Sequence, residues 1–155
     1  MKEMNSIVKA CLEQHEGGEK FFDALDDMIR NDKMLINLMI AKIVEKPFAF
    51  LIVSGNFGIV FYNHCKENTS EEFFKKIIVV PGGLRNGMPV GSLSHTIAGK
   101  RGIFVDDSFY RGRTRDAIAK EAAKLDAVIE RTYVFYDGSK EKDDTVQSFY
   151  RYYDT

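Results

Sequence analysis

The stretch that decides the fold is Gly102–Thr114, which reads GIFVDDSFYRGRT. Its apolar start predicts a short buried strand that ends at two adjacent carboxylates, Asp106 and Asp107. A turn containing Gly112 follows, and a helix opens near Thr114. This order sets the carboxyl end of a strand beside the amino end of a helix, which is where open α/β sheets bind their ligands. The stretch therefore predicts both a parallel sheet and a binding site at its edge.

Strands and helical patterns alternate along the chain, which predicts an α/β fold with a mainly parallel sheet flanked by helices. The predicted strands are Phe48–Val53, Ile77–Val80, Gly102–Val105 and Tyr133–Tyr136. Apolar residues at three- and four-residue spacing predict helices before them. At 155 residues the chain fits one domain. We divide it into a helical N-terminal part (1–45), an α/β core (47–138) and a C-terminal tail (139–155).

Composition and charge narrow the range of functions. Hydrophobic residues make up 45% of the chain and charged residues 29%, which is typical of globular proteins. The 22 basic and 23 acidic residues leave a net charge of -1, which argues against a general nucleic-acid binder. Residues 1–32 carry eight acids and four bases, and we interpret this acidic block as a solvated helix face. Residues 100–115 carry five bases and two acids, which favours a local site for one small phosphorylated ligand.

Cysteine usage and hydropathy predict a cytoplasmic protein with no membrane partner. Cys11 and Cys65 are too few for a disulfide framework and form no CxxC pair, so we expect both to be small buried hydrophobes. The longest apolar run, about Pro47–Val53, is far shorter than the roughly 20 residues that span a bilayer. The start of the sequence does not resemble a signal peptide. The three histidines are too scattered for a zinc site, and we expect them to pack or face solvent.

The residues after the third predicted strand suit a phosphorylated sugar. The free N–H groups at the amino end of a helix attract phosphate, and Gly112 lets the backbone approach closely. The Thr114 hydroxyl adds a donor. Asp106 and Asp107 repel a phosphate but suit a sugar diol, a ligand amine or Mg²⁺ taken up through water. A phosphate site beside a diol site describes a ribose 5-phosphate.

This stretch also resembles a known motif. An apolar strand, Asp-Asp and then Gly-x-Thr at this spacing is similar to the 5-phosphoribosyl 1-pyrophosphate (PRPP) motif of type I phosphoribosyltransferases. That family has a pyrophosphate-binding loop after its first sheet strand, where this chain has Ser54–Gly58. It also has a flexible loop that closes over the site, where this chain has the glycine-rich stretch Gly82–Gly99. The resemblance covers roughly residues 47–138, and its specific part is the motif at 102–114.

The resemblance implies a role for each residue of the motif. Asp106 and Asp107 would hydrogen-bond the 2′ and 3′ hydroxyls of the ribose. The segment after them would wrap the 5′-phosphate, chiefly through backbone N–H groups. Its residues are Ser108, Phe109, Tyr110, Arg111, Gly112, Arg113 and Thr114.

The resemblance implies a second group of residues for the pyrophosphate. Ser54, Gly55 and Asn56 would contact it, and Arg85 would reach the leaving group when the flexible loop closes. The implied cofactor is Mg²⁺, which would bridge pyrophosphate and ribose oxygens. We expect no direct protein ligand for this ion, with water between it and the two aspartates.

The function implied is that of a cytoplasmic, Mg²⁺-dependent enzyme that transfers ribose 5-phosphate from PRPP to a nucleobase or a related nitrogen acceptor and releases pyrophosphate. Pairing is common in the family, which leaves a homodimer open. Two departures keep a second hypothesis open. Arg111 stands where the family usually has Thr or Ser, and Tyr110 stands where purine-using members often have an Asp that carries a proton. The alternative is a non-catalytic PRPP- or nucleotide-binding module on the same fold.

Three further alternatives remain open on the sequence alone. Ser54–Gly58 is equally well interpreted as a simple strand-to-helix turn. We expect Arg113 and Arg115 to face solvent more than to bind phosphate. The aromatic tail that includes Phe149 and Tyr152 either docks on the body of the protein or a second subunit, or stacks on the acceptor base. We favour docking.

Overall fold

A computed structural model describes residues 19–82 and 93–154, and within them it shows one sheet of five parallel strands. The strands are β1 (Leu51–Ser54), β2 (Ile77–Val80), β3 (Arg101–Phe109), β4 (Val128–Asp137) and β5 (Val146–Arg151). Their order in the sheet is β2-β1-β3-β4-β5, so β3 is central. The α-helices are α1 (Glu19–Asn31), α2 (Lys33–Ile43), α3 (Gly55–Asn68), α4 (Glu71–Phe74) and α5 (Arg113–Ala123).

Helices cover both faces of this sheet. Side chains alternate between the two faces along a strand, and β3 shows the alternation clearly. Ile103 and Val105 pack with the apolar residues of α1, α2 and α3. Phe104 packs on the other face, with Ile118 and Ala122 of α5. The predicted α/β class, a parallel sheet flanked by helices, is confirmed, and so are the four predicted strands.

The N-terminal helices form one of these covers. Leu25 and Ile29 of α1 are buried at the spacing that the sequence predicts. Asp32 caps α2, because its Oδ1 accepts a hydrogen bond from the backbone N–H of Met34 at 3.1 Å. Residues 1–18, which the sequence predicts to be part of the helical N-terminal region, lie outside the described residues.

The side chains of Cys65 and His64, which are chemically reactive types, pack in the interior of the protein. Cys65 is fully buried, and burial raises the pKa of its thiol to about 12, so the thiol stays protonated and unreactive. His64 is also buried and shares a hydrogen bond of 2.7 Å between its Nε2 and Oδ1 of Asn37. Cys11 lies outside the described residues. Across 19–82 and 93–154, every helix is too short or too polar to cross a membrane.

The C-terminal tail adds a strand that the sequence analysis does not predict. β5 pairs in parallel with β4 at the edge of the sheet. Phe149 is only 4% exposed and stacks on Phe135, with the ring centroids 5.7 Å apart. Tyr152, which follows β5, is 46% exposed. Phe149 therefore docks on the body of the protein and has no free face for a base.

Candidate functional site

Strand β3 is longer than the sequence predicts. Its predicted end is Val105, but pairing with β4 continues, with Asp106 opposite Val134 and Ser108 opposite Tyr136. The prediction that the chain leaves the sheet at the two aspartates is therefore wrong. Ser108 and Phe109 approach the site from a strand and not from a loop. Their part in binding a ligand stays a prediction.

The turn that follows β3 is short and opens helix α5. We call residues Tyr110–Thr114 the cradle. Gly112 has a φ of +72°, a left-handed conformation that glycine adopts without steric cost. A Cβ at this position would also lie 3.0 Å from Cζ of Phe109. No side chain caps α5, so the N–H groups of its first turn have neither a helical acceptor nor a side-chain cap.

A cavity of about 480 Å³ lies against the cradle, and we call it the cradle cavity. It brings together most of the residues predicted from the motif. Its lining residues are Phe104, Asp106, Ser108, Phe109, Tyr110, Arg111, Gly112, Arg113, Thr114 and Arg115. The amino end of α5, with its partial positive charge, thus lies in the same cavity as one carboxylate of the pair.

A second cavity, of about 900 Å³, adjoins the first, and we call it the outer cavity. Four residues line both cavities and therefore lie between them: Phe109, Tyr110, Arg111 and Arg115. The far wall of the outer cavity is formed by the connection between β4 and β5, residues 138–144.

The two adjacent aspartates have different surroundings. Asp106 is half-buried and lines the cradle cavity, and its Oδ1 accepts a hydrogen bond of 2.8 Å from the backbone N–H of Asp107. Burial raises the pKa of Asp106 well above its ordinary value, and the negative charge of Asp107 raises it further. Asp107 is not among the residues that line the cradle cavity. Its Oδ1 accepts a hydrogen bond of 3.1 Å from Oγ of Ser108.

Asp26 of α1 is a site residue that the sequence analysis missed. Its side chain is half-buried and hydrogen-bonded to that of Asp107. Burial raises the pKa of Asp26 to about 8, and both the hydrogen bond to Asp107 and the charge of Asp107 contribute. The interpretation of the acidic N-terminal block as a solvated face is therefore wrong for Asp26, although Asp23 and Asp27 are exposed. No motif marks this residue, because only the packing of α1 on the sheet brings it to β3.

Tyr110 is held in one position at the border between the cavities. Its ring lies 5.8 Å from that of Tyr136, centroid to centroid. A Cβ on residue 138 would lie 2.4 Å from the Tyr110 ring, so this packing requires Gly138. Burial raises the pKa of Tyr110 far above its ordinary value, and a hydrogen bond to Tyr136 raises it further. The hydroxyl of Tyr110 is thus protonated at any physiological pH and does not act as a base.

The three arginines of this region are placed differently. Arg111 and Arg113 are exposed and line the cradle cavity. The side chain of Arg115 is only 19% exposed, and its Nη1 lies 2.6 Å from Oδ2 of Asp143. The expectation that Arg115 faces solvent is therefore wrong. An ion pair with a residue far along the chain is not visible in the local sequence.

The segment predicted as a pyrophosphate loop is a tight turn. Ser54 is the last residue of β1, and Gly55 is already the first residue of α3. The alternative interpretation of Ser54–Gly58 as a strand-to-helix turn is therefore the right description of the backbone. Asn56 is exposed, and none of Ser54, Gly55 and Asn56 lines the cradle cavity as far as the structure describes it. Their contact with pyrophosphate stays a prediction.

The predicted flexible loop is described only in part. Arg85 lies outside the described residues, so its role stays a prediction. At the end of the stretch, a 3₁₀ turn forms at His95–Ile97. Leu93 and Ile97 are buried and pack in the same cluster as Phe104. This end of the stretch is consequently part of the core.

Carboxylates gather at the site, but they do not form a metal cage. Among the described residues, no group of three or more His, Cys, Asp or Glu side chains is arranged to hold a metal ion. Mg²⁺ usually keeps several waters and binds through one or two carboxylates together with substrate phosphates. Asp106 in the wall of the cradle cavity suits that mode of binding.

Comparison with known proteins supports the fold. No protein-family model matches the chain, and no curated protein matches it. Among solved structures, a phosphoribosyltransferase from Corynebacterium diphtheriae is 11% identical and has a TM-score of 0.55, over 99% of this chain and 96% of that one. An adenine phosphoribosyltransferase from Thermoanaerobacter pseudethanolicus is 14% identical, with a TM-score of 0.51 over 74% of this chain and 72% of that one. The chain thus has the α/β fold of the type I phosphoribosyltransferases.

Proposed function

We propose that the protein is a phosphoribosyltransferase, which transfers ribose 5-phosphate from PRPP to a nucleobase or a related nitrogen acceptor and releases pyrophosphate. One observation supports this above the others. The uncapped amino end of α5, opening at Gly112, lies in the same cavity as Asp106, on a fold shared with solved phosphoribosyltransferases. A donor group for a phosphate and an acceptor group for sugar hydroxyls are thus side by side.

The proposed binding mode uses the backbone first. The N–H groups of the first turn of α5 donate to the 5′-phosphate, and the exposed guanidinium groups of Arg111 and Arg113 add charge. Asp106 accepts a hydrogen bond from one ribose hydroxyl in the cavity. Asp107 accepts from the neighbouring hydroxyl once its hydrogen bond with Asp26 has opened.

The proposed reaction is a displacement at C1 of the ribose. The bond from C1 to the pyrophosphate oxygen breaks, and its electron pair leaves with pyrophosphate. The lone pair of the acceptor nitrogen forms the new bond to C1. The protein contributes by holding the sugar in place and by stabilising the charges that develop. Tyr110 does not take part as a base, so any proton on the acceptor nitrogen passes to the released pyrophosphate or to water.

The proposal includes Mg²⁺ as cofactor. Asp106, and Asp107 next to it, would hold the ion through water, together with the phosphates of the substrate. When bound, the ion neutralises the charge of the pyrophosphate group. Arg85 and the turn at Ser54, Gly55 and Asn56 remain the proposed protein contacts of that group. We also propose a cytoplasmic location and a small-molecule partner; assembly into a homodimer remains a prediction.

The test is a direct assay of transfer. The protein is incubated with PRPP, Mg²⁺ and a panel of nucleobases, and nucleotide and pyrophosphate are measured. We expect both products with at least one acceptor. The double variant Asp106→Asn, Asp107→Asn should lose PRPP binding while its circular dichroism spectrum stays that of the wild type. Unchanged PRPP binding by this variant would overturn the ribose assignment.

A binding module without catalysis is the second candidate. It is favoured by Tyr110, which is no base, and by the hydrogen bond that occupies Asp107. Isothermal titration calorimetry separates the two candidates when it is combined with the transfer assay. Tight binding of PRPP or a nucleoside monophosphate, with no turnover on any acceptor, would select the module.

A further inference from the structure

The connection between β4 and β5 has an unusual form. The two strands are parallel neighbours, and parallel neighbours are usually joined by a crossover of a dozen or more residues that contains a helix. Here only residues 138–145 join them, without a helix. We call this stretch the β4–β5 segment. No helix packs it onto the sheet. Backbone hydrogen bonds hold its two ends, from Gly138 N–H to the carbonyl oxygen of Phe109 and from Thr132 N–H to that of Thr145, both at 2.9 Å, and side-chain contacts add to them.

One arginine fixes the start of the β4–β5 segment. Nη2 of Arg151 donates to the carbonyl oxygen of Ser139 at 2.7 Å. Oδ1 of Asp137 accepts from the backbone N–H of Ser139 at 2.9 Å and from its hydroxyl at 2.6 Å. All three residues lie at the carboxyl ends of β4 and β5 or directly beside them. The hydrogen bonds of this anchor involve no residue of the cradle, although Gly138 between them packs against the Tyr110 ring.

A second arginine fixes the end of the segment, and it comes from the cradle side. Nη1 of Arg115 lies 2.6 Å from Oδ2 of Asp143 and 3.4 Å from Oγ1 of Thr145. Asp143 is itself held in place, because its Oδ1 accepts from the backbone N–H of Thr145 at 2.9 Å and from its hydroxyl at 2.6 Å. The hydrogen bonds from Thr145 and Arg115 lower the pKa of Asp143 to about 2, so the pair is ionised at neutral pH.

The same guanidinium group packs against the cradle. Its Cζ lies 5.0 Å from the centroid of the Phe109 ring. Its Nη2 lies 3.1 Å from the point that a Cβ on Gly112 would occupy. Arg115 also belongs to the first turn of α5, whose N–H groups are the proposed phosphate donors. One side chain therefore contacts both Phe109, which directly precedes the cradle, and the end of the β4–β5 segment.

We propose that Arg115 is a positioning residue for the phosphate site: through its ion pair with Asp143 it holds the first turn of α5 and the β4–β5 segment in one fixed arrangement. This inference rests on the proposed function, because it assigns the cradle to a phosphate. Arg115 itself needs no contact with the ligand. Loss of the ion pair would free both the first turn of α5 and the far wall of the outer cavity.

The variant Asp143→Asn tests this idea, because the positioning role and a simple charge effect change the affinity for phosphate in opposite directions. Removing a negative charge near an anion site should strengthen phosphate binding if only charge matters. If the ion pair positions the cradle, the same variant should weaken phosphate binding. We expect the Kd for ribose 5-phosphate, measured by calorimetry, to rise about fivefold or more, since charge-assisted hydrogen bonds are the strong ones. Asp143→Glu, which keeps the charge, should recover part of the affinity.

The neighbouring residue provides a matched control. Asp144 is exposed, and within the described residues no ion pair joins it to Arg115. Asp144→Asn makes the same charge change in the same segment, and we expect the Kd to stay the same or fall. A Kd for Asp143→Asn equal to or lower than that of the wild type would overturn the positioning role. Failure of the wild type to bind ribose 5-phosphate would instead count against the proposed function.

A measurement without ligand tests the positioning role of Arg115 whether or not the protein binds ribose 5-phosphate. Hydrogen exchange of the backbone amides is compared between the wild type and Asp143→Asn. We expect faster exchange both in residues 110–116 and in the β4–β5 segment, because the ion pair joins them. Faster exchange in the segment alone, or no change in either, would show that Arg115 does not position the cradle.

Discussion

The side chain of Asp26, on helix α1, is hydrogen-bonded to the side chain of Asp107, on strand β3. Leu25 and Ile29 anchor the apolar face of α1 in the core, and this packing brings Asp26 to the sheet. Two carboxyl groups share a hydrogen bond only while one of them keeps its proton. The N-terminal cover of the sheet is thus joined to the candidate site by a contact that depends on pH.

This contact predicts how stability changes with pH. The pKa of Asp26 rises from 3.8 to about 8 on folding, so the folded protein holds a proton that the unfolded chain releases between these values. Stability should therefore fall as pH rises from about 4 to about 8 and then level off. Asp26→Asn keeps a hydrogen-bond donor and cannot ionise. We expect its melting temperature to exceed that of the wild type by an amount that grows from pH 5 to pH 8.

Asp27 serves as the control for this prediction, because it lies on the same helix, is exposed and is not among the groups that shift the pKa of Asp26. Asp27→Asn should shift the melting temperature by a small amount that does not grow over this pH range. A difference between Asp26→Asn and the wild type that is the same at pH 5 and pH 8 would contradict the raised pKa.

The cradle depends on Gly112. A comparison with Gly99 separates the cost of a left-handed backbone from the cost of a crowded Cβ. Gly112 and Gly99 have nearly the same positive φ, +72° and +71°. A Cβ would lie 3.0 Å from Phe109 at Gly112, but would meet nothing within 4 Å at Gly99. Gly99→Ala should cost about 1 kcal/mol of the free energy of unfolding, from the backbone alone. Gly112→Ala should cost about 2 kcal/mol or more, measured by urea unfolding. Equal costs would show that the contact with Phe109 relaxes freely.

The tail provides a prediction about packing. Phe149 is buried against Phe135, so Phe149→Ala should lower the free energy of unfolding by about 3 kcal/mol or more. Tyr152→Ala, at an exposed position, should lower it by less than about 1 kcal/mol. Both values come from denaturant unfolding. If Phe149→Ala left stability unchanged, β5 would not be part of the cooperative core.

Local patterns in the sequence suffice for most of this fold. The apolar runs at Ile77–Val80 and Tyr133–Tyr136 are short and continuous, and both are strands. The predicted end of β3 is wrong. Two adjacent aspartates, Asp106 and Asp107, are typical of a loop, but pairing with β4 keeps them in the sheet. β5 is not predicted because residues 146–151 show no clear alternation of apolar and polar residues. They form a strand because they pair with β4.

The sequence also predicts part of the candidate site, namely the residues that are contiguous in the chain. The motif at Gly102–Thr114 is contiguous, so its residues could be named together, and the structure gathers most of them around one cavity. Asp26 and Asp143 could not be named, because each reaches the site from a distant part of the chain. Contacts of this kind depend on tertiary packing and leave no local pattern of residues.

Asp106 allows the sugar part of the proposed site to be tested apart from the phosphate part. It is the carboxylate that lines the cradle cavity, and its raised pKa means that the charged form must be regained when a diol binds. We expect the wild type to bind ribose 5-phosphate more tightly as pH rises, and Asp106→Asn to bind about tenfold more weakly, with only the pH dependence of the phosphate group itself. Inorganic phosphate, which has no hydroxyls on a sugar ring, should bind to Asp106→Asn as tightly as to the wild type or more tightly, because the variant removes a carboxylate from the cavity. Calorimetry with these two ligands at several pH values measures all of these effects. If Asp106→Asn weakened the binding of both ligands equally, the residue would support the cradle and would not recognise the ribose.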